Sequence, residues 1–127
     1  MGVSNLQFLN QYVVGDNLEL LTSLEDESVD LAYVDPPFAT NRNFGDFDDR
    51  WKSINEYCNE YLDPRMLLVY KKLRNTGSLA FHCDHSASHY IKIMLDSIFG
   101  YKNFRNEIIW LTGGNCKTKR KLHRSHD

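Results

Sequence analysis

The run Val29-Asp30-Leu31-Ala32-Tyr33-Val34 is followed at once by Asp35-Pro36-Pro37-Phe38, and this junction constrains the fold more than any other part of the chain. Five of the six leading residues are apolar, as a buried strand requires. Two successive prolines then remove two backbone donors and fix two φ angles, so the strand must stop at Asp35 and give way to a stiff loop whose carbonyls are free to accept.

The flanking pattern alternates between periods of two and 3.6. Tyr12-Val13-Val14 reads as a short strand. Asp16-Asn17-Leu18-Glu19 has the spacing of a capping box, and Leu18, Leu21 and Leu24 recur at helical intervals, which completes a β–α–β unit with the strand at 29–34. Residues 39–55 are polar and aromatic without a clean period and are expected to form a long functional loop. A helix is predicted over Asn55–Arg74, a turn at Asn75-Thr76-Gly77 and a buried strand over Ser78-Leu79-Ala80-Phe81-His82. Ala87, Tyr90, Ile91, Met94, Leu95, Ile98 and Phe99 then form an apolar helical stripe that Gly100 ends, and Asn106-Glu107-Ile108-Ile109-Trp110-Leu111 reads as the last strand. Such alternation predicts an α/β fold with a mainly parallel sheet and helices on both faces.

With 127 residues and 42% hydrophobic content, the chain supports one α/β unit and not two. The expected division is residues 1–112 for that unit and 113–127 for a basic end. No stretch approaches a membrane span and the first residues lack the pattern of a signal peptide, so a cytoplasmic location is expected. Cys58, Cys83 and Cys116 form no C-x-x-C pair, so they are expected as thiols, without a disulfide framework or a cysteine zinc site. The net charge of −2 is uneven: Lys117, Lys119, Arg120, Lys121 and Arg124 crowd into the last eleven positions, leaving residues 1–116 with 10 basic against 16 acidic groups. Nucleic-acid contact is therefore expected to be local and weighted toward the end of the chain.

Ligands of parallel sheets bind beyond the carboxyl ends of the strands, where Asp35-Pro36-Pro37-Phe38 lies. Asp35 offers carboxylate oxygens, Pro36 a carbonyl and Phe38 a flat ring on which a base can stack, a set that suits an amine. On its own, the tetrapeptide could equally be a turn after a strand.

The surrounding residues go further. Val14-Gly15-Asp16, Ser28-Val29-Asp30-Leu31, Asp35-Pro36-Pro37-Phe38, Asn43-Phe44-Gly45, Asp49-Arg50-Trp51, Gly77-Ser78-Leu79, His82-Cys83-Asp84, Leu95-Asp96-Ser97-Ile98-Phe99-Gly100, Asn103-Phe104 and Asn106-Glu107-Ile108-Ile109-Trp110 together resemble the β-class of DNA amino-methyltransferases. The resemblance covers nearly the whole chain. It implies part of a Rossmann-like class I methyltransferase fold, S-adenosylmethionine as cofactor, DNA as partner and a flipped base held at Asp35, Pro36, Pro37 and Phe38. Asp in the first position favours adenine, with N4-cytosine as the alternative. Asp35 then acts chiefly as an orienter, because accepting the amine's hydrogens frees a lone pair otherwise conjugated into the ring.

Asp16 and Asp35 are the candidates for cofactor contact, although Asp16 can also simply cap its helix. Arg42, Arg50, Trp51, Lys119, Arg120 and Lys121 are the candidates for nucleic-acid contact, with a solvated loop anchored by a buried Trp as the competing reading. His82, Cys83, Asp84, His85 and His89 invite a metal site, but a strand-to-helix junction would splay them, and no metal is expected.

One departure from the family is an absence: no glycine-rich Phe-x-Gly-x-Gly motif for the methionine end of the cofactor occurs in this sequence. The chain is accordingly expected to be a fragment of a longer enzyme whose partners include its carboxyl-terminal half, a restriction subunit or a second copy. A non-enzymatic nucleic-acid-binding fragment and a methyltransferase acting on RNA or protein are the rival classes; Asp35, where a protein-amide enzyme has Asn, argues against protein and leaves RNA open.

Overall fold

The computed structural model describes residues 10–111, so the basic residues Lys119, Arg120 and Lys121 lie outside the described part. The order of elements is α1 (Asn17–Ser23), β1 (Val29–Val34), a π-helical stretch (Glu56–Leu62), α2 (Asp63–Lys72), β2 (Leu73–Phe81), α3 (Ser88–Phe99) and a short 3-10 turn (Tyr101–Asn103).

Helix α1 begins where its sequence says it should. The Asp16 carboxylate accepts from the Leu18 backbone N–H at 3.0 Å, satisfying one of the donors that a first turn leaves open. Helix α3 ends at Gly100, whose φ of +83° is costly for any residue with a Cβ.

The expected helix over Asn55–Arg74 is instead two helical segments, ending at Lys72. Tyr57 and Leu62 are five residues apart and both almost fully buried. In an α-helix they would point about 140° apart, whereas a π turn brings positions i and i+5 onto one face. From Leu62 onward the α spacing resumes: Leu62, Met66, Val69 and Leu73 join Ile91 and Met94 of α3 to form the core.

Strands β1 and β2 pair in parallel, with Ala32 opposite Leu79 and Val34 opposite Phe81. These four pack against the core. Leu31 and Tyr33 point the other way and are exposed, so of the two covered faces expected for the sheet the described residues build one.

Between the pairs Val29–Leu73 and Leu31–Ser78, β1 advances two residues while β2 advances five. The turn expected at Asn75-Thr76-Gly77 is thus real chemistry in a different place: it is an irregularity within β2 and does not precede the strand. Gly77 allows it, because a Cβ there would lie 3.0 Å from the carbonyl oxygens of both Arg74 and Val29. The base of the sheet is also tied by buried Lys72, whose Nζ donates to the Leu24 carbonyl at 2.8 Å and to Asp26 at 2.6 Å.

Two expected strands do not form. Residues 12–14 and 106–110 are not strand; Tyr12, Val14, Ile108, Trp110 and Leu111 are largely exposed. A strand exists only against a partner ladder, and among the described residues the sheet has two strands, β1 and β2. Short apolar runs supplied the pattern there without the neighbour.

Gly77→Ala is expected to cost about 1–3 kcal/mol, because two of the three atoms that a Cβ would meet at 3.0 Å are backbone oxygens that cannot rotate away. A lower urea midpoint at unchanged slope is the measurement that checks it.

Candidate active site

The site is assembled by the strand register. Because Val34 pairs with Phe81, the next residues, Asp35 and His82, emerge side by side at the carboxyl ends of the two strands. The His82 N–H donates to the Val34 carbonyl at 2.8 Å, and its ring Nδ1 lies 3.1 Å from Asp35 Oδ1. Phe38 meets the same imidazole edge-on, with ring centroids 5.0 Å apart. The loop is fixed from below as well, since buried Tyr57 donates its hydroxyl to the Pro37 carbonyl. Burial raises the Tyr57 phenol far above its ordinary value, so it stays a donor. The carbonyl expected to accept from an amine, that of Pro36, is a different one.

Beyond Phe38 the chain enters a small hairpin organised by a buried carboxylate that sequence reasoning did not single out. Asp49 accepts from the backbone N–H groups of Ala39 and Thr40 at 2.8 and 2.7 Å, from the Thr40 hydroxyl at 2.6 Å and from the Trp51 indole at 3.2 Å. Burial alone would raise the Asp49 carboxyl, but the bonds from Thr40, Trp51 and Ala39 together outweigh it and hold it below the ordinary carboxylate value. They also hold Ala39 and Asn41 at φ of +57° and +58°, a conformation that non-glycine residues adopt only when their surroundings impose it. Antiparallel pairing of Asn43 with Asp48 closes the hairpin, and Phe44 and Phe47 stack at its tip, 4.9 Å apart. The trace of Asp49 in the sequence is the Asp49-Arg50-Trp51 triplet, which belongs to the family resemblance but carries no sign of this role.

Two clefts result. One, of about 510 Å³, lies between the loop and the hairpin and is lined by Asp35, Pro36, Phe38, Thr40, Phe44 and Phe47. The other, of about 250 Å³, is lined by Asn17, Tyr33, Asp35, Pro36, Tyr61 and Arg65. Asp35, Pro36 and Pro37 line both, so the loop is a wall between two spaces.

The remaining candidates fall in different places. Asp16 caps α1 and also pairs with Arg65 at 3.1 Å, and its neighbour Asn17 lines the smaller cleft. Arg65 in turn lies 4.0 Å above the Tyr61 ring. Trp51 packs against Tyr57 and Tyr61 at 5.0 and 4.9 Å, which makes it an anchor of the hairpin. Arg50 is held by Asp48 through both carboxylate oxygens, and Arg42 sits exposed on the hairpin. Asp84 is buried and accepts from Ser86 ahead of α3. Among the described residues no group of three or more His, Cys, Asp or Glu is placed to hold a metal ion, and no helix is long and apolar enough to cross a membrane.

A parallel strand ending in an Asp-Pro-Pro-Phe wall is the feature by which this chain can be compared with known proteins, and the family model described as DNA methylase, of the N6/N4 type, matches residues 29–127. The chain belongs to this DNA methylase family. DNA methyltransferases of the family use S-adenosylmethionine. The type II methyltransferase M.KpnI of Klebsiella pneumoniae is 33% identical over 126 residues, which cover 90% of this chain and 30% of that protein. The type II methyltransferase M.EcaI of Enterobacter cloacae is 30% identical over 91% of this chain and 26% of its own length. The StyLTI Mod subunit, a type III restriction-modification enzyme of Salmonella typhimurium, is 26% identical over 93% of this chain and 21% of its own. The chain thus spans less than a third of the length of these relatives.

Within this methylase chain Asp49 should act as the latch of the loop. Asp49→Asn is expected to speed amide exchange at Ala39 and Thr40 while leaving the amides of β1 and β2 unchanged. Because the folded carboxyl sits below its unfolded value, its stabilisation is complete at neutral pH and is lost as pH falls through the folded value, below about 4. Protection of the same two amides, followed on acidification, checks the sign.

Proposed function

We propose that this chain is the base-holding part of a DNA methyltransferase that transfers a methyl group from S-adenosylmethionine to the N6 amine of an adenine turned out of the duplex. The observation that carries the reading is the position of Asp35-Pro36-Pro37 as the common wall of two clefts. Methyl transfer forms the N–C bond as the S–C bond breaks and so needs donor and acceptor in direct contact; residues that line both clefts stand where the two molecules would meet.

The larger cleft falls within the size range of small-molecule sites and presents the Phe38 ring, which suits a base. The smaller one, at about 250 Å³, falls below that range, but a carboxylate with the Tyr33 and Tyr61 rings suits the cationic, reacting end of the cofactor. Asp35 would hold that end from the wall, with Asn17 nearby, and the cofactor would supply an electrophilic methyl.

The rest is done by this chain's own groups. Turning a base out of the stack costs a few kcal/mol, which contact with Phe38 offsets in part. Asp35 and the Pro36 carbonyl accept the two amine hydrogens, drawing the nitrogen toward a pyramidal shape with its lone pair aimed across the wall. As the amine becomes cationic, the Asp35 carboxylate is already in place to stabilise it. The acidic first residue of the loop supports adenine. Lys119, Arg120, Lys121 and Arg42 supply phosphate contact in this reading, so affinity for DNA should fall steeply with salt.

Transfer of labelled methyl to mixed-sequence duplex DNA, followed by nucleoside analysis, tests the proposal. The comparison is made in this chain and in one extended to include the glycine-rich cofactor segment that the family resemblance implies. Methyladenine from the extended chain, with Asp35→Ala lower by about 100-fold or more, is the expected result; methylcytosine would refute the choice of base, equal transfer with and without Asp35→Ala would refute the role of Asp35, and transfer by residues 1–127 alone would refute the need for that segment.

A further inference from the structure

We infer that His82 is a positioning residue for Asp35, holding one carboxylate oxygen so that the other faces the target amine. The inference rests on the reading of Asp35 just given and adds to it a residue from the neighbouring strand.

Three observations meet at this imidazole. Nδ1 lies 3.1 Å from Asp35 Oδ1, and a carboxylate is an acceptor only, so this contact favours a proton on Nδ1. Nε2 is buried and has no partner among the described residues. A proton placed there would be a buried, unanswered donor, and the geometry therefore selects the tautomer that serves Asp35. The ring edge also meets Phe38, so one side chain touches both the carboxylate and the aromatic member of the loop.

Rigidity explains why the contact matters. Asp35 side-chain Oδ1 is tied to a residue whose own backbone is locked into the sheet through the Val34 carbonyl. The carboxylate can no longer spin freely about its bonds, and Oδ2 is left for the amine. A carboxylate on a free loop would sample many orientations, and a misplacement of about 1 Å can cost 100-fold in rate.

The test uses the nitrogen-labelled chain and long-range proton–nitrogen correlation of its imidazoles, with the His82 signals assigned by their loss in His82→Asn. A proton on Nδ1 in the native chain, with the Nδ1 signal shifted in Asp35→Ala as its carboxylate neighbour is lost, is the expected result. A native His82 protonated on Nε2 alone, or an Nδ1 signal unaffected by Asp35→Ala, would overturn the inference. This readout does not depend on methyl transfer, so it decides the matter even if the activity proposed above is not found. Where transfer is measurable, His82→Ala should lower kcat about 100-fold. His82→Asn, whose amide can place an N–H near the Nδ1 position, should recover most of that loss. The double variant with Asp35→Ala should be no slower than Asp35→Ala alone. Equal losses in His82→Ala and His82→Asn, or additive losses in the double variant, would reduce His82 to a packing residue.

Discussion

Everything at the candidate site depends on the register of two parallel strands. Ala32, Val34, Leu79 and Phe81 face the core, so a slip of one residue would turn them toward water and expose the opposite set inward. That penalty, and not any contact at the site itself, is what delivers Asp35 and His82 to the same end of the sheet at hydrogen-bond distance. The geometry of the candidate site is in this sense a by-product of burying four aliphatic and aromatic side chains. The irregularity at Gly77 lets β2 absorb three extra residues near its start without disturbing the register near its end.

The loop after the strand obeys a second, electrostatic rule. Its backbone would otherwise leave donors unanswered in a turn that bends through left-handed residues, and the Asp49 carboxylate answers them together. Tyr57 does the same for the Pro37 carbonyl from the helical side. The wall between the two clefts is thus held at both ends by buried polar groups, while the face that would meet a ligand is built from proline and aromatic rings.

Local pattern made some of this readable in advance. The strand at 29–34, the cap at Asp16, the stripe ending at Gly100 and the Asp-Pro-Pro-Phe loop are each written in a few adjacent residues, and each stands where expected. What failed were features that depend on distant neighbours. Residues 12–14 and 106–110 have the apolar runs of strands but find no ladder among the described residues. Asn75-Thr76-Gly77 reads as a turn, because a bulge and a turn need the same glycine and only the partner strand tells them apart. Asp49 was invisible as an organiser, since its four donors come from residues on both sides of a hairpin whose closure the sequence does not announce. His82 was noticed for its neighbours in sequence, whereas its partner, Asp35, lies in another strand.

The π-helical stretch at Glu56–Leu62 leaves a mark on how such a chain can change over evolution. A π turn holds one residue more than the α turn it replaces, so deleting a single residue there would restore ordinary helix and swing everything before it by about 100°. Tyr57 would leave the Pro37 carbonyl and Trp51 would lose its aromatic neighbours. Surface loops usually absorb insertions and deletions with little effect; this segment, which also gives Tyr61 to the smaller cleft, counts its residues as strictly as the sheet does.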